Sequence, residues 1–182
     1  NTCTITNKRI MKRYLLILAL LFFYLACAAQ LSKIDSLQRL IKTEKDEKRK
    51  TDLLLMLSIE FRQINADSSR VIAEKVVKFS ERQKDDVLRM KAELSTVYFF
   101  INRSNPDSGL IISEKNIAAL KQKGKNDSLL AQYQSASGFT LMKLNRQKEA
   151  LEHFYAALYI ADVIKDHRAK ARALHQIGWA HM

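Results

Sequence analysis

Apolar residues recur in this chain with a period of about 40 residues, and this recurrence constrains the fold more than any other feature. Within each copy the recurring positions fall at i, i+3, i+4 and i+7, the spacing that places side chains on one face of an α-helix. Four columns align in this way. They are Leu54, Leu94, Gln134 and Leu174; Leu57, Val97, Ser137 and Ile177; Ser58, Tyr98, Gly138 and Gly178; and Phe61, Ile101, Leu141 and His181.

A second helical pattern repeats between the copies of the first, so each unit is predicted to be a pair of helices. The predicted pairs are 47–63 with 67–83, 86–102 with 107–122, and 127–144 with 147–164; a lead helix covers about 32–44, and a further first helix starts near 167. The 182 residues include only four Gly and one Pro, which favours long helices and excludes a turn-rich β-sandwich. The predicted fold is all-α, an α-solenoid of antiparallel helix pairs.

The stretch from Gln134 to Ala157 resembles a tetratricopeptide repeat (TPR). Gly138 stands where that family has a small residue because the two helices of a pair come close there. The resemblance implies that Ala150, Phe154 and Ala157 form the small, large, small pattern of the second helix. It also implies that Gly178 begins the next copy in the same way as Gly138.

The sequence departs from the TPR pattern at several places. Gln134 replaces the usual Trp, Ser137 replaces the usual Leu, Asp162 stands near the usual Pro, and the period of about 40 exceeds the family's 34. The two earlier pairs match only loosely at the second-helix positions. Those positions hold Ser69, Ala73 and Val76 in the first pair and Gly109, Ser113 and Asn116 in the second.

The N-terminal segment has the composition of an export signal. Two basic residues follow Met11, and an uncharged, largely apolar run covers 14–29. That run is shorter than the roughly 20 residues that span a bilayer, and it ends in small residues, so cleavage before Gln30 is favoured over a membrane anchor. Lipidation at Cys27 is the alternative.

The chain is expected to divide into four parts: residues 1–10 as upstream read-through, 11–29 as a signal peptide preceding the helical part, 30–46 as a lead helix, and 47–182 as TPR-like repeats truncated at the C-terminus. Removing residues 1–29 would take away four basic residues and both cysteines, and would lower the net charge of +12 by four. A mature chain without thiols fits an oxidising compartment, so a periplasmic or cell-envelope location is predicted. Membrane contact would require an uncleaved signal or a downstream anchor.

One face of the first helices is the candidate binding surface, because the resemblance implies that first helices line the groove of the solenoid. One column on that face is Ile59, Phe99, Phe139 and Trp179. These rings could hold apolar side chains of a protein or peptide ligand, with Arg103, Lys143 and His175 as polar neighbours. The alternative is that the rings pack within the protein.

The sequence favours no catalytic, metal or cofactor site. The four histidines, His153, His167, His175 and His181, include no i, i+4 pair, and no HExxH motif occurs. Basic residues are interspersed with acids, as in 42–50, which favours a solvated helix face over a nucleic-acid surface.

The predicted function is therefore a non-catalytic protein- or peptide-binding TPR module exported from a bacterial cytoplasm. An exported chain that opens with Ile34, Asp35 and Ser36 before long-period repeats also resembles the N-terminal sensor region of Bacteroidetes TPR proteins. The alternative that this likeness implies is the periplasmic input region of a membrane-bound histidine kinase or transcriptional regulator, whose output domain is not in this sequence.

Overall fold

The structure, a computed structural model, describes residues 33–103, 105–124 and 127–182. These residues form eight α-helices and no β-strand, so the predicted all-α class is confirmed for them. The predicted read-through and signal segments, with Cys27 and Gln30, lie outside the described residues. No helix within the described ranges has the length and apolar character needed to cross a membrane.

The chain divides into two compact units, residues 1–45 and Asp46–Met182. In the first unit the described part is helix α1, residues 33–43, which lies inside the predicted lead helix. Ile34 and Leu37 of α1 are buried, and its last turn is closed by a hydrogen bond from the Thr43 hydroxyl to the Leu40 carbonyl oxygen at 3.1 Å.

The second unit contains seven helices whose bounds fall within two residues of those predicted. They are α2 (Glu47–Phe61), α3 (Ala66–Gln83), α4 (Asp86–Asn102), α5 (Pro106–Lys123), α6 (Asp127–Lys143), α7 (Gln147–Val163) and α8 (His167–Ala180). We call α2, α4, α6 and α8 the first helices and α3, α5 and α7 the second helices.

Local capping explains why these helices begin and end where they do. The carboxylates of Asp46, Asp85 and Asp166 each accept a hydrogen bond from a backbone N–H of the first turn that follows. At its C-terminus α5 ends at Gly124, which takes the left-handed conformation at φ 58° that glycine adopts without strain.

The helices of the second unit contact one another in a regular order. Each helix packs against the next in sequence, and each first helix also packs against the next first helix: α2 with α4, α4 with α6, and α6 with α8. The described second helices α3, α5 and α7 make no such contacts with one another.

The second-helix columns recognised in the sequence form the interior of each pair. All nine positions are buried, although their chemistry differs from pair to pair. They are Ser69, Ala73 and Val76; Gly109, Ser113 and Asn116; and Ala150, Phe154 and Ala157. The alignment of these second-helix positions is therefore consistent with where the structure buries side chains.

Gly138 of α6 lies directly against the Phe154 ring of α7. A Cβ atom placed on Gly138 would lie 2.3 Å from Cε1 of the Phe154 ring, well inside van der Waals contact. The neighbour that requires glycine here is thus an aromatic ring of the partner helix. Phe154 itself is fully buried, in a cluster with Leu141, Ala150 and Ala180.

Gly178 does not occupy an equivalent contact. It lies on an exposed part of α8, and a Cβ atom placed on it would meet no described atom within 4 Å, so its role as a repeat position stays a prediction. The physical reason is that α7 covers Gly138 of α6, whereas no described helix packs over Gly178 of α8. Leu174 of α8 is 52% exposed for the same reason.

Candidate functional site

The predicted aromatic row runs across the first helices, with one residue on each. Ile59 of α2 is 42% exposed and Trp179 of α8 is 38% exposed, whereas Phe99 of α4 and Phe139 of α6 are half-buried. We call the face that carries these four residues the first-helix surface. Its apolar side chains are most accessible at its two ends.

Phe139 belongs partly to the core and partly to this surface. Its ring centroid lies 5.7 Å from that of Phe154 beneath it and 5.7 Å from that of Trp179 on the next first helix. The Trp179–Phe139 contact therefore extends the row across two helices, and the Phe139–Phe154 contact ties the row to the packing around Gly138. Phe139 is therefore part of the packed interior on one side and part of the first-helix surface on the other.

Phe99 has different neighbours. Its ring packs edge-on against Phe100 with centroids 5.4 Å apart, and the guanidinium of Arg70 from α3 lies 4.9 Å from its centroid. A cation over an aromatic face is attracted by the ring quadrupole. Phe99 is therefore involved in contacts with α3 as well as in the first-helix surface.

The three predicted polar neighbours of the row are placed differently from one another. Arg103 forms an ion pair with Asp67 of α3, so Asp67 competes with any ligand for that charge. Lys143 and His175 are exposed, at the end of α6 and in the middle of α8. Of the predicted cations, Lys143 is the more available for a ligand carboxylate.

A chain of buried hydroxyl groups leads from the interior of the first pair to the first-helix surface. The Ser69 hydroxyl donates to the Ser58 carbonyl oxygen at 2.8 Å, and the Ser58 hydroxyl lies 2.8 Å from that of Ser95 on α4. Arg62 then donates from Nε to the Ser95 hydroxyl at 3.0 Å. The chain thus ends at a guanidinium.

Arg62 is held from two directions. Besides its bond to Ser95, its guanidinium carbon lies 4.9 Å from the centroid of the Tyr98 ring. Burial lowers the pKa of Arg62 from its ordinary value, and the positive charge of Arg172 on α8 lowers it further, against the opposing effects of Tyr98 and Tyr133. Arg62 forms no ion pair with any residue that the structure describes.

A small cavity of about 220 Å³ lies where α6 and α7 meet the start of α8. Ser135 and Arg172 contribute to its wall, and the Asp166 carboxylate in the wall accepts hydrogen bonds from the backbone N–H groups of Arg168 and Ala169. The lining residues are Ser128, Ala131, Gln132, Ser135, Ala157, Asp166, Arg168, Ala169 and Arg172.

A second polar cluster joins α5, α6 and α7. The Gln134 amide oxygen lies 2.6 Å from His153 Nδ1, the Ser137 hydroxyl donates to the Glu114 carboxylate at 3.0 Å, and His153 Nε2 lies 3.5 Å from the same carboxylate. Burial lowers the pKa of His153, and the charge of Glu114 opposes that effect. Gln134 and Ser137 are the two polar departures in otherwise apolar columns, and that departure was the available sequence signal for this cluster.

No catalytic or metal-binding arrangement results from these contacts. The Ser137 hydroxyl bonds to a carboxylate and not to the imidazole, which is the wrong order for activating a nucleophile. Within the described ranges, no three His, Cys, Asp or Glu side chains lie together as a metal site requires.

No family model matches the chain, and no curated protein is significantly similar to it. What the described residues define is an all-α protein whose helices pack in sequential order, with a partly apolar surface on alternate helices.

Proposed function

We propose that this chain is an exported, TPR-like α-solenoid that binds a protein or peptide on its first-helix surface. The observation that carries the proposal is the contact pattern of the second unit. Among the described helices of that unit, alternate first helices touch one another, whereas alternate second helices do not.

Such a pattern is expected of a row of helix pairs that bends towards its first helices. In a stacked repeat, each pair contacts only its neighbours, and a small rotation between pairs produces a concave side. The helices on the concave side are closer together than those on the convex side. The first-helix surface is therefore the concave side in this proposal.

The composition of that surface supports a peptide ligand with apolar side chains. Ile59 and Trp179 are exposed at its ends, and the Trp179–Phe139 contact gives an extended aromatic area between α6 and α8. Aromatic residues that are partly exposed in a concave surface commonly provide the central contacts of protein interfaces. The exposed Lys143 of α6 and the half-buried Arg62, directly after the end of α2, add positive charge.

The experiment uses the exposed ends of the row, because Phe139 also packs on Phe154 and its removal would disturb the fold. Peptides selected from a random display library against the wild-type chain are measured with an Ile59→Ala, Trp179→Ala double variant. We expect affinity to fall at least tenfold, which corresponds to about 1.4 kcal/mol, since truncating an aromatic interface anchor such as Trp179 typically costs about 2 kcal/mol or more.

Tyr159→Ala is the matched control, because Tyr159 is an aromatic residue on second helix α7 and is 71% exposed. It should leave the affinity unchanged. Equal losses in the control and the double variant, or unchanged affinity in both, would reject the first-helix surface as the binding face. Circular dichroism confirms that the variants retain their helices.

Export is a separate part of the proposal and depends on residues 11–29 alone. N-terminal sequencing of the product recovered from the periplasm of an expressing bacterium should give Gln30 as the first residue. A product that retains residue 11 and stays in the cytoplasm would count against export without affecting the binding proposal.

A further inference from the structure

We infer that the cavity between the N-terminal halves of α6 and α8 is a binding site for a phosphate group. The cavity has a volume of about 220 Å³, and part of its surface consists of small alanine side chains. Its other lining residues include polar side chains from two neighbouring first helices. They are Ser128, Gln132 and Ser135 of α6, and Arg168 and Arg172 of α8.

The α8 side of the cavity carries two unpaired arginines. Arg168 and Arg172 are four residues apart, so their side chains lie on one face of the helix, about one turn from each other. Neither guanidinium forms a hydrogen bond or an ion pair with any residue that the structure describes. Like charges at this spacing destabilise a helix, and α8 has no acidic residue to offset them. An anion bound between the two guanidinium groups relieves this repulsion.

One carboxylate, that of Asp166, also lines the cavity. Its Oδ1 atom accepts hydrogen bonds from the backbone N–H groups of Arg168 and Ala169, each at 3.0 Å, so it caps the N-terminus of α8. The Asp162 carboxylate of α7 forms an ion pair with Lys170 and does not line the cavity. Two cationic side chains and one carboxylate, already engaged as a helix cap, leave the cavity lining with a net positive charge.

The α6 side of the cavity supplies a buried hydroxyl group without a partner. Ser135 is 6% exposed and lines the cavity, and its hydroxyl forms no hydrogen bond with any described residue. Ser95 stands in the same column one repeat earlier, and its hydroxyl contacts those of Ser58 and the Nε–H of Arg62. Buried polar groups are normally hydrogen-bonded, so the Ser135 hydroxyl points to a polar group bound in the cavity.

Two further polar side chains of α6 lie on the same helix face as Ser135. Ser128, Gln132 and Ser135 follow the i, i+4, i+7 spacing, and all three line the cavity. The Gln132 side chain is held by a hydrogen bond from Nε2 to the Ser128 carbonyl oxygen at 3.3 Å. The Ser128 hydroxyl has no partner among the described residues. Hydrogen-bond donors therefore line the cavity from both α6 and α8.

The number of donors favours a phosphate group over a carboxylate. A carboxylate has one charge and two oxygens, which a single guanidinium satisfies through two parallel hydrogen bonds. A phosphate monoester carries about 1.5 to 2 negative charges at pH 7 and has three strong acceptor oxygens. Two guanidinium groups and the hydroxyls of Ser128 and Ser135 match this higher charge and number of acceptors.

The size of the cavity agrees with a ligand group of this kind. Pockets for whole small-molecule ligands usually have volumes of about 300–1,000 Å³. The volume of about 220 Å³ is smaller, so the cavity suits a single charged group.

This inference goes beyond the proposed function and does not rest on it. Phosphate binding requires only the side chains that line the cavity between α6 and α8, whereas peptide binding is proposed for the aromatic row. The phosphate group has two sources, the free ion and a phosphate monoester, and the test separates them.

The test is an NMR titration of the ¹⁵N-labelled 182-residue chain at pH about 7, with ionic strength held constant by sodium chloride. Sodium phosphate, O-phosphoserine and sodium acetate are added in separate experiments. We expect saturable shifts of the Nε–H resonances of Arg168 and Arg172 and of the backbone N–H of Ser135 with at least one phosphate compound. Tighter binding of O-phosphoserine than of inorganic phosphate identifies a monoester as the ligand, and the reverse order identifies the free ion.

Arg168→Gln and Arg172→Gln should each weaken phosphate binding about tenfold or more, because charge-assisted hydrogen bonds are lost. Both arginines are exposed, so neither variant should disturb the fold. Lys170→Gln is the matched control: it removes one positive charge from the same helix, between the two arginines, at a residue that pairs with Asp162 and does not line the cavity.

Three outcomes would overturn the inference. Shifts that do not saturate would mean that phosphate has no defined site in the cavity. Equal weakening by Lys170→Gln and the two arginine variants would mean that only the general charge of α8 attracts the anion. Acetate that binds as tightly as both phosphate compounds would mean that the site does not select a phosphate group.

Discussion

The first and third helix pairs pack their two helices together through different kinds of contact. In the first pair, Ser58 of α2 and Ser69 of α3 meet through hydrogen bonds between each hydroxyl and the other residue's carbonyl oxygen, at 2.8 and 3.1 Å. In the third pair, the corresponding positions are Gly138 and Ala150, and the Phe154 ring covers Gly138. One contact is polar and directional, and the other is apolar and depends on shape.

The flanking columns show the reverse distribution of polar groups. In the first pair the columns beside Ser58 hold Leu54 and Leu57, whereas beside Gly138 they hold Gln134 and Ser137. The latter two bond to His153 and Glu114. Each pair thus buries both polar and apolar groups, but the positions that are polar in one pair are apolar in the other. Each buried polar side chain of these two sets has a hydrogen-bond partner, as burial requires.

Both arrangements connect the pair interior to the first-helix surface. In the first pair the connection is the hydroxyl chain from Ser69 through Ser58 and Ser95 to Arg62. In the third pair it is the ring contact from Phe154 through Phe139 to Trp179. Substitutions inside either pair should therefore alter the surface as well as the stability, by different routes.

The largest effect is expected from Phe154→Ala. The side chain is fully buried, so its removal leaves a cavity between α6, α7 and α8, and the free energy of unfolding should fall by about 3–5 kcal/mol. Urea denaturation followed by circular dichroism measures this. An unchanged midpoint would mean that Phe154 does not fill the interior of the third pair.

Gly138→Ala should have the next largest effect, a loss of about 1–3 kcal/mol, because the added methyl group would overlap the Phe154 ring. Gly178→Ala is the matched control. Its Cβ meets open space, so it should be neutral or stabilising by up to about 1 kcal/mol through the higher helix propensity of alanine.

A double-mutant cycle identifies the ring as the source of that strain. With Phe154→Ala in place, Gly138→Ala should cost little or even stabilise, because the methyl group enters the space that the ring vacated. Costs that simply add would place the strain elsewhere in α6.

Ser58→Ala should cost less, about 0.5–1.5 kcal/mol, the net value of a hydrogen bond. The loss is limited because the Ser58 carbonyl oxygen still accepts from Ser69, and Ser95 still accepts from Arg62. Comparing the urea midpoints of Ser58→Ala and Gly138→Ala shows whether the polar contact of the first pair contributes less to stability than the apolar contact of the third pair. A loss as large as that of Gly138→Ala would mean that the two interiors respond alike.

Much of the fold could be predicted from the sequence, because helix bounds depend on local signals. Aspartates such as Asp85 and Asp166, a terminal glycine at Gly124 and the spacing of apolar residues lie next to the boundaries that they determine. The close contact at Gly138 was also accessible, since a small residue in an apolar column implies a near neighbour.

The candidate site was less predictable, because it depends on which side chains from distant helices meet. The row of Phe99 and Phe139 follows from spacing, but the contact of Phe99 with Arg70 depends on how α3 packs against α4. The bond from Arg62 to the Ser95 hydroxyl depends on how α2 packs against α4. No local pattern encodes either contact.

The smallest expected effect is a pH dependence of the free energy of unfolding that arises in the third pair and not in the first. Burial lowers the pKa of His153 below its ordinary value of 6.5, so the unfolded chain binds the proton more tightly than the folded chain. The free energy of unfolding should therefore fall as the pH drops below about 6.5, and this contribution is present in full only above that pH.

His153→Gln should remove this part of the pH dependence. Urea denaturation at about pH 7.5 and about pH 5.5, on either side of the ordinary pKa, measures the change. His175→Gln, at an exposed position of α8, is the control and should leave the pH dependence in place. Because the first pair has Leu54 and Leu57 where the third has Gln134 and Ser137, the acid-sensitive contribution belongs to the third pair. An identical pH dependence in the wild type and His153→Gln would show that the imidazole is protonated equally in the folded and unfolded chains.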